Sequence, residues 1–189
     1  MITLVRLETS RILLRPWKDD DYAPYAAMNL NHDVTRYFGR TLNSKESDKQ
    51  ADYFRVDLES RGWGFWALER KIDGAFMGYT GLMETKSDLP IPPCVETGWR
   101  LGREYWGKGY ATEAAAVSLE FGFGELNLPA VFAYAALGNV LSRAVMERLG
   151  MELTPITFEH PRLPENHTHR LHCLYRLDQK NWSGMFFSC

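Results

Sequence analysis

Gly102-Arg103-Glu104-Tyr105-Trp106-Gly107-Lys108-Gly109-Tyr110-Ala111-Thr112-Glu113-Ala114 decides how this chain folds. Before it, Val95 to Leu101 reads as a strand. After it, Ala111, Ala114, Ala115 and Leu119 recur at helical spacing. That predicts a helix from Tyr110 to about Phe123, its small residues packed close on a sheet. Gly107 and Gly109 let the backbone turn tightly with its N–H groups facing one point. The helix adds the positive end of its dipole there. Strand, glycine turn and helix in this order suit a pyrophosphate. Read alone, they equally suit a loop whose glycines only turn the chain.

Two nucleotide motifs share these glycines, and both fail. Gly102, Gly107 and Lys108 match the first parts of G-x-x-x-x-G-K-[ST], but Gly109 stands where the Mg²⁺-binding hydroxyl belongs. Bulky Tyr105 and Trp106 also sit where such a loop wraps phosphates. An ATPase is rejected. G-x-G-x-x-G fails because Gly107-Lys108-Gly109 is followed by Thr112.

Working outward toward the C-terminus, Ala130 to Ala136 is an apolar strand. Asn139 caps a helix to Leu149, which Gly150 stops. Met151 onward is a strand, His160 to His169 a polar loop, and Leu171 to Leu177 a closing strand. Toward the N-terminus, Trp63 to Glu69 and Ala75 to Glu84 read as strands joined at Asp73-Gly74. Asn43 and Glu46 form a capping box for a helix from Ser44 to about Ser60, ended by Gly62. Asp19-Asp20-Asp21 starts a helix through about Leu30, and Arg11 to Arg15 is a strand stopped by Pro16. The order is one strand, two helices, three antiparallel-type strands, helix, strand, helix and two strands. It predicts a mixed α/β (α+β) domain spanning 1–189, with a single central, mostly antiparallel sheet and helices on both faces.

Composition narrows the function. The 189 residues hold 22 Lys and Arg against 24 Asp and Glu, a net charge of -2, so no basic surplus neutralises a phosphate backbone. Nucleic acid is not the expected partner. No apolar run approaches the roughly 18–20 residues of a membrane span, and the N-terminus lacks a signal-peptide pattern. A cytoplasmic protein without a membrane partner is expected. Cys94, Cys173 and Cys189 form no CxxC pair, and His167-x-His169 fits no closed zinc set, so no metal is expected.

Glu96-Thr97-Gly98-Trp99 followed by Tyr105 to Ala114 resembles the GNAT superfamily of acyl-CoA-dependent N-acyltransferases, and within it the ribosomal-protein-alanine N-acetyltransferase (RimJ/RimL) branch. Asn139-Val140-Leu141-Ser142 and Arg148-Leu149-Gly150-Met151 are similar to that branch's next block. Leu13-Arg15, Gly78-Tyr79-Thr80-Gly81 and His172-Tyr175-Leu177 also fit, so the likeness runs from about Glu8 to Trp182. The family's cofactor turn reads [QR]-x-x-G-x-[GA]. Here Glu104 takes the first position, which matters little where backbone N–H groups carry the phosphate contact.

The resemblance implies acetyl-CoA as cosubstrate and an amine as acceptor, either a protein N-terminus or a small molecule. It assigns the cofactor to Trp99, Arg100, Leu101, Trp106, Gly107, Lys108, Gly109, Tyr110, Ala111, Thr112, Asn139 and Ser142. A free α-amine, with pKa about 7.7–8.0, is part-neutral at pH 7 and needs only a weak base. Glu96 is the best carboxylate for that task, acting through water. Its alternative is an ion pair with Arg100 or Lys108. Ser142 lies where the branch approaches the CoA thiol and is expected to donate a hydrogen bond to the sulfur. Asn139 and Ser142 equally fit a plain helix cap. His160, His172 and Tyr175 remain open as further acids or bases, Tyr175 equally as a core residue. Trp63, Phe65, Trp66, Trp99, Tyr105 and Trp106 could shape the acceptor slot, although strand alternation turns half of such residues into the core.

A non-catalytic acyl-CoA-binding regulatory module is the alternative, opposed by Asn139, Ser142 and Glu96. A monomer or a homodimer is expected, the latter if the apolar Met185-Phe186-Phe187-Ser188-Cys189 packs on a second chain.

Overall fold

A computed structural model describes residues 3–85 and 88–184; the Met185–Cys189 stretch lies outside the described residues. The strands are β1 (Leu7–Glu8), β2 (Ile12–Arg15), β3 (Phe65–Arg70), β4 (Ala75–Glu84), β5 (Val95–Leu101), β6 (Ala130–Ala136), β7 (Glu152–Glu159) and β8 (Leu171–Asp178). The helices are α1 (Tyr22–Leu30), α2 (His32–Thr35), α3 (Ser44–Arg61), α4 (Tyr110–Gly124) and α5 (Val140–Arg148). The strands form one sheet in the order β1-β2-β3-β4-β5-β6-β8-β7, antiparallel throughout except between β5 and β6.

Local chemistry places most of these elements. Asn43 Oδ1 accepts from the Glu46 N–H and a Glu46 carboxylate oxygen accepts from the Asn43 N–H, both at 3.0 Å, so the capping box starts α3. Gly62, at φ 83°, takes the left-handed conformation that closes the helix. Two features depart from the sequence reading. The two-residue β1 and the four-residue α2 were not expected; both are too short to carry a periodic signal. Asp19–Asp21 forms a 3₁₀ turn ahead of α1 rather than its first turn. The reason is electrostatic. Buried Arg15 takes both Asp21 oxygens, at 2.7 and 2.8 Å, and Glu69 at 2.6 Å.

The core lies on both faces of the sheet. On one face, α1 and α3 pack Tyr25, Ala51 and Phe54 against Phe65, Ala67, Tyr79 and Met83. On the other, Ala115, Leu119 and Phe123 of α4 and Val145 and Met146 of α5 cover Leu82, Val131 and Ala133.

Candidate active site

β5 and β6 are parallel yet share a single register pair, Glu96 with Phe132. Beyond it β5 is held only by β4, from Thr97 on Leu82 to Leu101 on Gly78. The strands therefore splay, and the edge of Thr97–Leu101 that would meet β6 opens into a cleft.

Two cavities fill the splay. One, of about 590 Å³, is bounded by Trp99, Arg100 and Leu101, the turn Trp106, Gly107 and Gly109, and the first turn of α4 at Tyr110, Ala111 and Thr112. Asn139 and Ser142 form part of its opposite side. The other, of about 420 Å³, contains Glu96, Tyr134, His160 and His172. Tyr37, Phe38, Trp99, Arg100, Asn139 and Ser142 border both, so the two are chambers of one channel.

The first chamber is shaped around a glycine turn and a helix N-terminus. Gly107 and Gly109 sit at φ 73° and 81°, a conformation L side chains rarely adopt. A Cβ at Gly107 would meet nothing within 4 Å, so open space lies over the turn. Gly109 caps α4 with no side chain, leaving the N–H groups of the first turn unclaimed by a cap. The turn is braced from below. Trp106 Nε1 donates to the Leu101 carbonyl at 2.8 Å. Arg11 donates to the Lys108 carbonyl at 3.1 Å and to buried Glu113 at 2.7 Å, with its guanidinium 4.7 Å from the Tyr110 ring. Arg11, Arg36 and Arg148 border the chamber, Arg11 paired with Glu113 and Arg36 with Asp33, which also lines it. These residues fit a diphosphate group. Lys108 is absent from the lining: its ammonium donates to the Glu104 carbonyl at 2.8 Å, so it offers main chain alone.

In the second chamber, alternation puts Glu96, Gly98 and Arg100 on the face of β5 that α1 and α3 cover. Tyr134 faces the Glu96 carboxylate; burial, with that anion beside it, raises the phenol's pKa. Both cations named for Glu96 in the sequence have other partners. Arg100 points to Asn29 and Gln50, and Lys108 to Glu104. The His160 and His172 rings lie 4.9 Å apart. Burial lowers the His160 pKa to about 4, helped by the nearby His172 and Arg162 charges. Burial also lowers that of His172, whose Nδ1 is 2.8 Å from the Arg170 carbonyl. His160 is therefore neutral at pH 7.

Asn139 combines the two readings left open for it. Its Oδ1 accepts from the Ser142 N–H at 3.2 Å, a helix cap, and the residue also borders both chambers. Tyr175 belongs to the core instead. It is buried, its hydroxyl donates to Glu147 at 3.0 Å and accepts from Arg143 at 3.2 Å, and it borders neither chamber. Of the aromatic candidates, Phe65 and Trp99 reach the second chamber and Trp99, Tyr105 and Trp106 the first, while Trp63 and Trp66 pack in the core. Sequence reasoning missed Tyr37, Phe38 and Arg40, which wall the second chamber from the segment after α2, and it missed Tyr134 and Arg11. None belongs to a motif. Tyr134 alone carried a partial signal, its place within the predicted strand from Ala130 to Ala136.

Residues 11–152 match the family model described as the acetyltransferase (GNAT) domain. The chain belongs to the GNAT acetyltransferase family, whose members use acetyl-CoA as cosubstrate. It is 45% identical over 147 residues to the uncharacterized N-acetyltransferase YnaD of Bacillus subtilis, covering 78% of this chain and 82% of that protein. It is 24% identical over 191 residues to the FsC-acetyl coenzyme A-N(2)-transacetylase of Aspergillus fumigatus, covering 95% of this chain and 78% of that one. A GNAT-family acetyltransferase structure from Bacillus anthracis superposes with a TM-score of 0.77 at 20% identity, covering 93% and 99% of the two chains. The protein is thus an N-acetyltransferase by family.

Proposed function

We propose that this enzyme moves an acetyl group from acetyl-CoA to a primary amine in one direct step. The observation that carries this reading is the channel: a glycine turn at a helix N-terminus opens past Ser142 and Asn139 into a chamber holding Glu96. Acetyl-CoA, when bound, supplies the acetyl group as a thioester. The N–H groups from Trp106 to Thr112 hold the diphosphate, with Arg11, Arg36 and Arg148 balancing its charge. The free edge of Trp99–Leu101 offers N–H and C=O groups to an extended amide chain, as a strand does to its neighbour. Glu96 takes, through water, the proton that the amine sheds as its nitrogen bonds to the carbonyl carbon. Ser142 donates a hydrogen bond to the sulfur as the carbon–sulfur bond breaks. The thiol's own pKa, about 8.5 for a free cysteine-like thiol, makes the thiolate a tolerable leaving group.

The sequence likeness to the RimJ/RimL branch supports a protein N-terminus as acceptor, and a chamber of about 420 Å³ also accommodates a small amine. We further infer a single catalytic unit working in the cytoplasm as a monomer or homodimer. A net charge of -2 supports a function without nucleic acid. Among the described residues no helix is long and apolar enough to cross a membrane.

Calorimetric titration with acetyl-CoA, using ATP as comparison, followed by thiol-release assays over an amine panel, tests the proposal. Micromolar acetyl-CoA binding and thiol release with one amine class are expected. Absence of acetyl-CoA binding would overturn it.

A further inference from the structure

Three arginines border the second chamber, and one of them lacks an acid. Arg40 pairs with Glu46 at 2.7 Å and Arg162 with Asp88 at 2.7 Å. Arg100, only 7% exposed, pairs with no carboxylate among the described residues. Its Nη1 donates to Asn29 Oδ1 at 2.8 Å and to Gln50 Oε1 at 3.3 Å, while its buried Nε has no acceptor. The Phe38 and Tyr79 rings lie 3.8 and 5.6 Å from the guanidinium carbon. Arg15, equally buried at 4%, shows what this chain otherwise does with such a charge: it takes both Asp21 and Glu69. Burying a guanidinium without an anion is costly, and two amide oxygens and two rings offset only part of that cost. Both existing bonds use Nη1. The Nε–Nη2 edge, whose two parallel N–H bonds match a carboxylate, makes no hydrogen bond among the described residues.

Arg100 also shares a face of β5 with Glu96, four residues away, roughly 13 Å between Cα atoms at the strand rise. At Gly98, between them, the Phe65 ring packs over the strand, 3.1 Å from where a Cβ would stand, and both residues border the chamber. The chamber thus has a carboxylate at one end and an unpaired cation at the other. We propose that the acceptor is an amine that itself carries a carboxylate, as an amino acid does. Its carboxylate pairs with the unpaired edge of Arg100, and its amine lies on the Glu96 side of that pair. This inference rests on the acetyl-transfer reading and narrows its substrate class.

The test compares thiol release from acetyl-CoA with the common L-amino acids, each paired with its C-terminal amide and its decarboxylated amine. The amides keep more of their amine neutral at pH 7, so a preference for the acids cannot arise from amine reactivity. The best acid is expected to exceed its amide in kcat/KM by about 10²-fold. Arg100→Met should bring that ratio close to one, and Arg100→Lys should keep part of it. Both substitutions keep the main-chain edge at residue 100 that is proposed to meet the donor, so the Kd for acetyl-CoA should change by no more than about threefold. Wild-type turnover of amides as good as that of the acids overturns the proposal. So does a tenfold loss of acetyl-CoA affinity in Arg100→Lys with the acid preference intact, which would assign Arg100 to the donor. If Arg100→Met does not fold, the wild-type ratio and Arg100→Lys decide. If acetyl-CoA neither binds nor reacts, the acetyl-transfer reading falls by itself. Titration of the donor-free protein with N-acetyl amino acids and their amides then tests Arg100: Arg100-dependent binding of the acids alone sustains it, and equal binding sinks it.

Discussion

Ser142 stands at the start of α5, where both chambers meet. A hydroxyl titrates far above neutrality, so in the proposed mechanism Ser142 contributes a hydrogen bond to the departing sulfur rather than a proton. Such a bond matters in the transition state and little in the ground state. Ser142→Ala is therefore expected to lower kcat by roughly 10²-fold with acetyl-CoA affinity nearly unchanged. Thiol release under saturation and calorimetry on the same preparation check it; a comparable loss in both would make Ser142 a binding residue. His160 makes a different prediction. Its pKa lies near 4 in the folded chain against an ordinary 6.5. Between those values the unfolded chain binds the proton and the folded chain resists it. Stability therefore rises with pH across this window and falls as pH drops from 6.5 toward 4. His160→Gln should flatten that part of the stability profile in denaturant melts at successive pH values. An unaltered slope would show that another group carries it.

At the scale of elements, the turn and α4 act as one device. Gly109 holds φ 81° while closing the turn and opening the helix. A Cβ there would lie 3.5 Å from the Arg11 guanidinium, an ordinary contact, so the penalty for alanine is in the backbone. Left-handed backbone costs an L residue about 1–2 kcal/mol. Gly109→Ala should lower Tm by a few degrees, about 2–4 °C per kcal/mol at this size. Relaxing the strain rotates the N–H groups away from their common point, so acetyl-CoA affinity should fall about tenfold. Unchanged affinity with lowered Tm would make the turn merely structural. The same scale explains what local signals could reveal. The capping box, Gly62 and Gly150 marked helix ends because their chemistry is complete within a few residues. β4, β5 and β6 run over the residues their patterning predicts, and β3 begins at Phe65 rather than Trp63. Asp21 misled because the local rule for acidic residues at a helix start competes with a buried arginine elsewhere in the chain.

Across the whole molecule, the channel fixes the expected kinetic order. The two chambers share a wall, and neither Cys94 nor Cys173 borders either of them. Under the proposed direct transfer both substrates are bound together. Initial rates should give intersecting double-reciprocal lines, and acetyl-CoA alone should leave no acetylated protein in intact-mass spectra. Parallel lines with a stable acetyl-enzyme would contradict direct transfer.

The family resemblance named many of the residues that border the first chamber; the sequence by itself determined the class of fold and the phosphate-suited turn. These depend on strand and helix periodicity, glycine conformations and caps, which act over a few neighbouring residues. Tertiary structure alone decided the rest. The splay follows from a single pairing between β5 and β6, strands separated by the whole of α4. It turned Lys108 away from the cleft and put Tyr175 in the core. It also brought Tyr37, Phe38 and Tyr134 to the second chamber, residues distant from Glu96 in the chain or in no motif. Arg100 is the sharpest case. Its position in the strand was legible, but its lack of an acidic partner depends on what α1 and α3 present across the core, and no local pattern carries that information.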